Sequence, residues 1–198
     1  TFEISALTAD FSNDVVCLGE DTHFTDESVS TQPISSYYWD FGDGNYSTVQ
    51  NPVFKFSKPG NNSVKLIVTA GTNIDSLRKD VFVKPVPKAS FTAPDKCQGE
   101  TTAFTNTTIL GGTTISTWAW DFGDGGSSTL QDPGSHGYLN TGSYTVSLTA
   151  AATNGCSDSY SAVVKVGAIP VAAVTANAPL TFCKGDSVKL SVPFNATY

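Results

Sequence analysis

Four carboxylates in two identical settings are the residues of this 198-residue chain whose types and spacing invite a chemical reading. Asp40 and Asp43 lie in Trp39-Asp40-Phe41-Gly42-Asp43-Gly44, and Asp121 and Asp124 lie in Trp120-Asp121-Phe122-Gly123-Asp124-Gly125. Paired carboxylates serve general acid–base work, and hard oxygen ligands suit calcium, so Asp40, Asp43, Asp121 and Asp124 are the calcium candidates. The Asp-Phe-Gly tripeptide also occurs at kinase metal sites, but the glycine-rich loop, paired lysine and catalytic loop of a kinase are absent. His23 and His136 are the two histidines, and no Ser-His-Asp or Cys-His set assembles from them. The four cysteines, Cys17, Cys97, Cys156 and Cys183, are too dispersed for a zinc site. No catalytic residues are assigned. Duplication favours a duty in the fold: two copies 120 − 39 = 81 residues apart fit turn and strand-end hydrogen bonding better than two duplicated active sites.

The elements that must hold these blocks follow from alternation. In an extended strand, Tyr37, Trp39 and Phe41 share one face, as do Trp118, Trp120 and Phe122, and each aromatic stripe faces a core. The Gly-Asp-Gly that follows ends the strand in a tight turn. Later strands alternate as clearly. Val64, Leu66 and Val68 share a face, as do Tyr144, Val146 and Leu148, and each run follows a glycine turn. The two halves align at offsets of 80 to 82 residues: Phe11 with Phe91, Cys17 with Cys97, Phe24 with Phe104, Phe56 with Tyr138, Val64 with Val146. Short strands at this spacing, without sustained helical periodicity, predict an all-β chain of tandem Ig-like antiparallel sandwiches. The expected layout is 1–8 as the end of a preceding unit or linker, 9–84 and 89–167 as repeats, and 85–88 as a linker. Residues 168–198 begin a third, incomplete unit, in which Val188, Leu190 and Val192 alternate. Thr1 in place of Met, and a strand pattern running to Tyr198, read as a segment of something longer. The prolines of Lys84-Pro85-Val86-Pro87-Lys88 make that linker a semi-rigid spacer.

Composition narrows the function. The net charge of −7 disfavours nucleic acid, no apolar run reaches the ~18 residues of a membrane helix, and no basic amphipathic segment suggests a membrane surface. Cysteines in an acidic, Ser/Thr-rich chain suggest an oxidising, exported setting.

The block aromatic-x-Trp-Asp-Phe-Gly-Asp-Gly, then Asn51-Pro52 or Asp132-Pro133, then aromatic-x-x-x-Gly and a Val/Leu-rich strand, resembles the PKD (polycystic kidney disease) domain over about Ala9–Lys84 and Ala89–Val166. The resemblance implies Ig-like sandwiches, extracellular or on a bacterial surface and without catalytic activity. It resembles in particular the PKD arrays of exported Bacteroidota proteins such as gliding adhesins and type IX secretion cargo, through Cys-x-Gly-Glu and Asn154-Gly155-Cys156-Ser157-Asp158. The third unit is similar to the Ig-like repeats that accompany them. Under this resemblance Cys97 pairs with Cys156, closing a loop of 156 − 97 = 59 residues, which in a chain-entropy account is worth about 4 kcal/mol. Cys17 has Ile74 where Cys156 is expected and stays free or pairs outside the segment; the partner of Cys183 lies past Tyr198. No cofactor is implied beyond the calcium that some PKD domains of secreted collagenases hold.

The expected role is a non-catalytic stalk or spacer of a large surface or secreted adhesin-like protein. Its partners would be protein or carbohydrate ligands and neighbouring repeats. The alternatives are an accessory carbohydrate- or protein-binding module of a secreted hydrolase, or a component of a type IX secretion or gliding apparatus. Tyr38, Tyr46 and Tyr160 are the candidates for stacking on sugar rings. Ser76 and Ser187, in Asp-Ser-apolar triplets, match the pattern for bacterial O-glycosylation. His136, where the first repeat has Phe54, reads as packing beside the aromatic stripe.

Overall fold

A computed structural model describes residues 7–169, together with the backbone of Thr175–Ala176 and Leu190–Ser191, which pair antiparallel. All regular structure among the described residues is β. In the first unit Phe11–Asn13, Thr22–Asp26 and Val53–Phe54 form one antiparallel sheet. Tyr46–Ser47, Ser36–Asp40, Gly60–Ala70 and Asn73–Val83 form the other, in that order. The second unit repeats this: Phe91–Thr92, Thr101–Asn106 and Gly134–Gly137 face the sheet of Ser127–Ser128, Ile115–Asp121, Gly142–Ala152 and Ser157–Gly167. Lys96–Cys97 adds to that sheet's far edge, parallel to the end of Ser157–Gly167.

The aromatic stripes go where alternation sends them. Trp39, Phe41, Phe11, Phe24 and Phe56 are buried with Val64, Leu66 and Val68 in one core. Trp120, Phe122, Phe91, Phe104 and Tyr138 are buried with Val146 and Leu148 in the other. Tyr37 and Trp118 are half-buried at the margins. Trp39 and Trp120, each 2% exposed or less, still satisfy their indoles: Trp39 Nε1 donates to the Val49 carbonyl at 3.0 Å and Trp120 Nε1 to the Leu130 carbonyl at 2.9 Å. Burying a ring of this size without that partner costs the desolvation of an N–H.

Leu7–Thr8, expected before the first unit, pair with Val29–Ser30, and Leu7 packs against the first core. Lys88 makes the corresponding bridge to Ile109 in the second unit. The first strand of each sandwich thus begins earlier than its alternation reveals, because it is short and its pairing is an edge contact.

Candidate functional site

The Gly-Asp-Gly turns come first, since their carboxylates were the chemical candidates. Asp40 Oδ1 accepts the Gly42 N–H at 2.9 Å and Asp43 Oδ1 accepts the Asn45 N–H at 3.0 Å. Asp121 and Asp124 accept from Gly123 and Gly126, both at 2.9 Å. Each carboxylate closes its own Asx turn, and the Phe41 and Phe122 N–H groups reach across the turn to the Asn45 and Gly126 carbonyls. Gly42 and Gly123 are required twice over. Their φ values are +85° and +80°, and a Cβ would stand 2.7 Å from the Ser63 carbonyl oxygen and 2.5 Å from that of Thr145. Among the described residues no three His, Cys, Asp or Glu side chains gather as a metal would need.

His136 does more than pack. Its ring stacks on Phe122 at 4.1 Å, as Phe54 stacks on Phe41 at 4.0 Å, and its Nε2 lies 2.8 Å from Asp124 Oδ2. Burial resists ionisation of Asp124, but the His136 hydrogen bond and the Gly126 N–H outweigh it and hold the carboxyl below its usual range. Beside it, burial pushes the Tyr138 phenol up to about 12, with the Asp124 charge adding to the shift; its hydroxyl donates to the Phe122 carbonyl at 3.1 Å.

The surface candidates divide. Tyr38 and Tyr46 are 42% and 66% exposed and stack on each other at 5.6 Å. Tyr160 packs edge-on against Phe91. Ser76 is exposed on Asn73–Val83, whereas its neighbour Asp75 accepts the Ala9 N–H at 2.8 Å. Ser187, Cys183 and the alternation of Val188, Leu190 and Val192 fall outside the residues whose side chains are described.

The junction between the units holds what sequence reading missed. Cys156 bonds Cys17, with Cα atoms 5.8 Å apart and a sequence separation of 139, and Cys97 is a free, exposed thiol. The expected Cys97–Cys156 bridge is therefore corrected. Cys97 pairs with Gly167 at the exit end of Ser157–Gly167, and Cys156 immediately precedes the other end of that strand. Eleven extended residues hold the two sites about 30 Å apart, whereas a disulfide needs Cα atoms within about 7 Å. The second expectation, Ile74 as the counterpart of Cys156, shifts by one. Val68 pairs with Asp75 and Ala150 with Asp158, while Ala70 faces Asn73 and the Ala152 N–H bonds the Cys156 carbonyl. Asn73 is the matching position, because the turn of the second hairpin is one residue longer.

Local chemistry sets both halves of the bridge. In Cys17-Leu18-Gly19-Glu20, Gly19 at φ +93° turns the chain, the Glu20 N–H bonds the Cys17 carbonyl at 3.0 Å, and Glu20 Oε2 accepts the Cys17 N–H at 2.9 Å. The turn is tied to the exit of its own unit, since the Leu18 N–H bonds the Lys84 carbonyl at 2.8 Å. Opposite, Asn154 Oδ1 accepts the Cys156 N–H at 3.0 Å while Asn154 Nδ2 donates to the Pro85 carbonyl at 2.8 Å. The linker is held along its length. The Val86 carbonyl lies where a Cβ on Gly111 would be 2.7 Å away, Lys88 and Ile109 exchange two backbone hydrogen bonds, and the Ala89 N–H bonds Asp158 Oδ2 at 2.8 Å. A spacing argument was available: the exit of one repeat and the hairpin turn of the next lie one short linker apart, whereas two cysteines of one repeat lie a full strand apart.

Comparison with known proteins places these features. A family profile described as PKD domain matches residues 7–84 and 82–166. The PKD1 domain of the Vibrio cholerae metalloprotease PrtV is 34% identical, over 41% of this chain and 98% of that one, with a TM-score of 0.38. The PKD1 domain of Vibrio anguillarum Epp is 30% identical over 42% of this chain and 96% of that one, with a TM-score of 0.38. A structure described as concerning promiscuous carbohydrate-binding modules of the β-sandwich superfamily is 36% identical over 42% of this chain and 35% of that one, with a TM-score of 0.40.

Proposed function

We propose, for a chain that belongs to the PKD domain family through two tandem copies, the role of a non-catalytic extracellular spacer whose units are locked in fixed relative orientation. The observation that carries this is the Cys17–Cys156 bridge across a linker pinned at Pro85, Val86 and Lys88. One linker allows two folded bodies to hinge; a second covalent connection, beside the first, removes most of that freedom. A disulfide that persists requires an oxidising compartment, which supports export. The four aspartates of the repeated hexapeptide each accept a backbone N–H of their own turn, which is a duty in the fold. The finer assignment, within this reading, is a segment of a Bacteroidota surface adhesin or type IX secretion cargo. Labelling intact, unpermeabilised source cells and their medium with antibody against this segment tests export. Signal at the surface or in the medium supports the role, and signal confined to the lysate overturns it.

A second reading, a carbohydrate-binding accessory module, is favoured by the stacked and exposed Tyr38–Tyr46 pair alone. Retention on a glycan array that is lost in Tyr38→Ala and Tyr46→Ala supports it. Absence of binding to any glycan removes it.

A further inference from the structure

Cys97 occupies in the second unit the place that bridged Cys17 occupies in the first, and the turn and backbone contacts around the two match. The Cys97 N–H bonds Glu100 Oε2 at 2.9 Å, as Cys17 bonds Glu20. The Glu100 N–H bonds the Cys97 carbonyl at 3.1 Å, and Gly99 turns at φ +86°. The exit of the unit lies in parallel register beside each cysteine, Lys84 beside Cys17 and Gly167 beside Cys97. The following N–H bonds that exit carbonyl in both, Leu18 to Lys84 and Gln98 to Gly167, each at 2.8 Å. The chain then leaves toward whatever follows from the same point beside the same thiol. In the first unit, what meets the thiol is the hairpin turn of the next sandwich. At the second, the thiol is exposed, and next to it Gln98 Nε2 bonds the carbonyl of Leu139, an apolar side chain 88% open to solvent.

We propose that Cys97 is the next rung of a disulfide ladder and bonds a cysteine in the hairpin turn of the sandwich unit that follows residue 167. The ladder rests on the spacer reading and extends it from one junction to a rule for successive junctions. The chemistry is oxidation of two thiols. The Cys97 and hairpin sulfurs form one S–S bond and release two protons. The two electrons pass by thiol–disulfide exchange to the disulfide of an exported oxidant protein, which is reduced to a dithiol. Exposure of Cys97 provides the access that exchange requires.

The test inserts a second copy of residues 85–167 directly after Gly167 in the full chain. The copied linker then meets Gly167 as the original meets Lys84. Ser159→Thr and Lys96→Arg marks in the copy distinguish its hairpin peptide and its Cys97 peptide from the originals. Folding is checked by tryptophan fluorescence, and disulfides are mapped without reductant after chymotrypsin and Glu-C digestion. The expected result is Cys97 bonded to the marked hairpin cysteine, with the copied Cys97 the next exposed thiol. In the unextended chain, Cys97 should take up maleimide fully without reductant while Cys17 and Cys156 take up none. A folded insert whose hairpin thiol and Cys97 both alkylate overturns the ladder and leaves the spacer reading standing, provided Cys17–Cys156 is intact. A Cys97–Cys183 bond in the unextended chain also overturns it. Loss of Cys17–Cys156 itself refutes the spacer reading together with the ladder.

Discussion

Replacing Cys17 by Ser removes the one covalent tie between the two sandwiches other than the linker, and its effect can be worked from the chain's connectivity. With the bridge intact, unfolding of the second unit leaves its chain pinned at Pro85 and again at Cys156. Closing a loop of about 70 residues in the unfolded state is worth about 4 kcal/mol in the chain-entropy account. Against this stands the hinge freedom that the native bridge removes. Two of the three residues between Lys84 and Lys88 are prolines with φ already fixed, so that loss is about 1–2 kcal/mol. The net expectation is about 2–3 kcal/mol lost from the second unit in Cys17→Ser, which for a domain of this size lowers Tm by about 10–20 °C. Calorimetry with and without a reductant measures it. Reduced wild type and the Cys17→Ser variant should coincide and melt well below oxidised wild type, while Cys97→Ser should melt with wild type. Equal Tm for Cys17→Ser and oxidised wild type would refute the reasoning, and so would a larger loss in Cys97→Ser.

Other substitutions test the turns and the second core. Gly123→Ala combines a positive φ with a Cβ 2.5 Å from the Thr145 carbonyl oxygen; it should cost the second unit about 3 kcal/mol or more in urea titration, and a loss under ~1 kcal/mol would contradict the close approach. Tyr138→Phe leaves the Phe122 carbonyl without its donor and should cost about 1–3 kcal/mol near neutral pH. Because the Tyr138 phenol is raised from 10.0 to about 12, its stabilisation is present below pH 10 and lost as pH rises toward 12. The Phe variant should therefore lose stability less steeply through that window, and parallel wild-type and variant slopes would refute the burial argument. Asp124 is lowered from 3.8, so its contribution is present above that value and lost as pH falls below it. His136→Phe, which installs the residue type the first unit uses at Phe54, should flatten the acid limb of the second unit's unfolding while preserving the stack on Phe122.

Much of the architecture was legible in the residues because the signals were local. Trp39 and Phe41 alternate against Asp40, glycines end the aromatic strands, and a repeated hexapeptide gives the period; each needs only strand geometry. The Asx turns of Asp40 and Asp43 were legible for the same reason. The disulfide was not, since pairing within a repeat looks more economical along the sequence than pairing across 139 residues. Geometry inverts that preference: Cys97 and Cys156 are separated by the length of Ser157–Gly167, whereas Cys17 and Cys156 meet where one sandwich ends and the next begins. The one-residue slip between Ile74 and Asn73 has a related cause, because hairpin-turn length is set by backbone closure and leaves no mark in side-chain alternation. His136 was read correctly as packing on the aromatic stripe, but its bond to Asp124 depends on a turn that brings position 124 under the ring.

The central claim, that the bridge and the pinned linker make two sandwiches one rigid body, is tested most directly by backbone residual dipolar couplings of the oxidised protein. Couplings from residues 9–84 and 89–167 should fit one common alignment tensor, and should diverge into two tensors of different magnitude once the Cys17–Cys156 bond is reduced. Two distinct tensors in the oxidised protein would contradict the account.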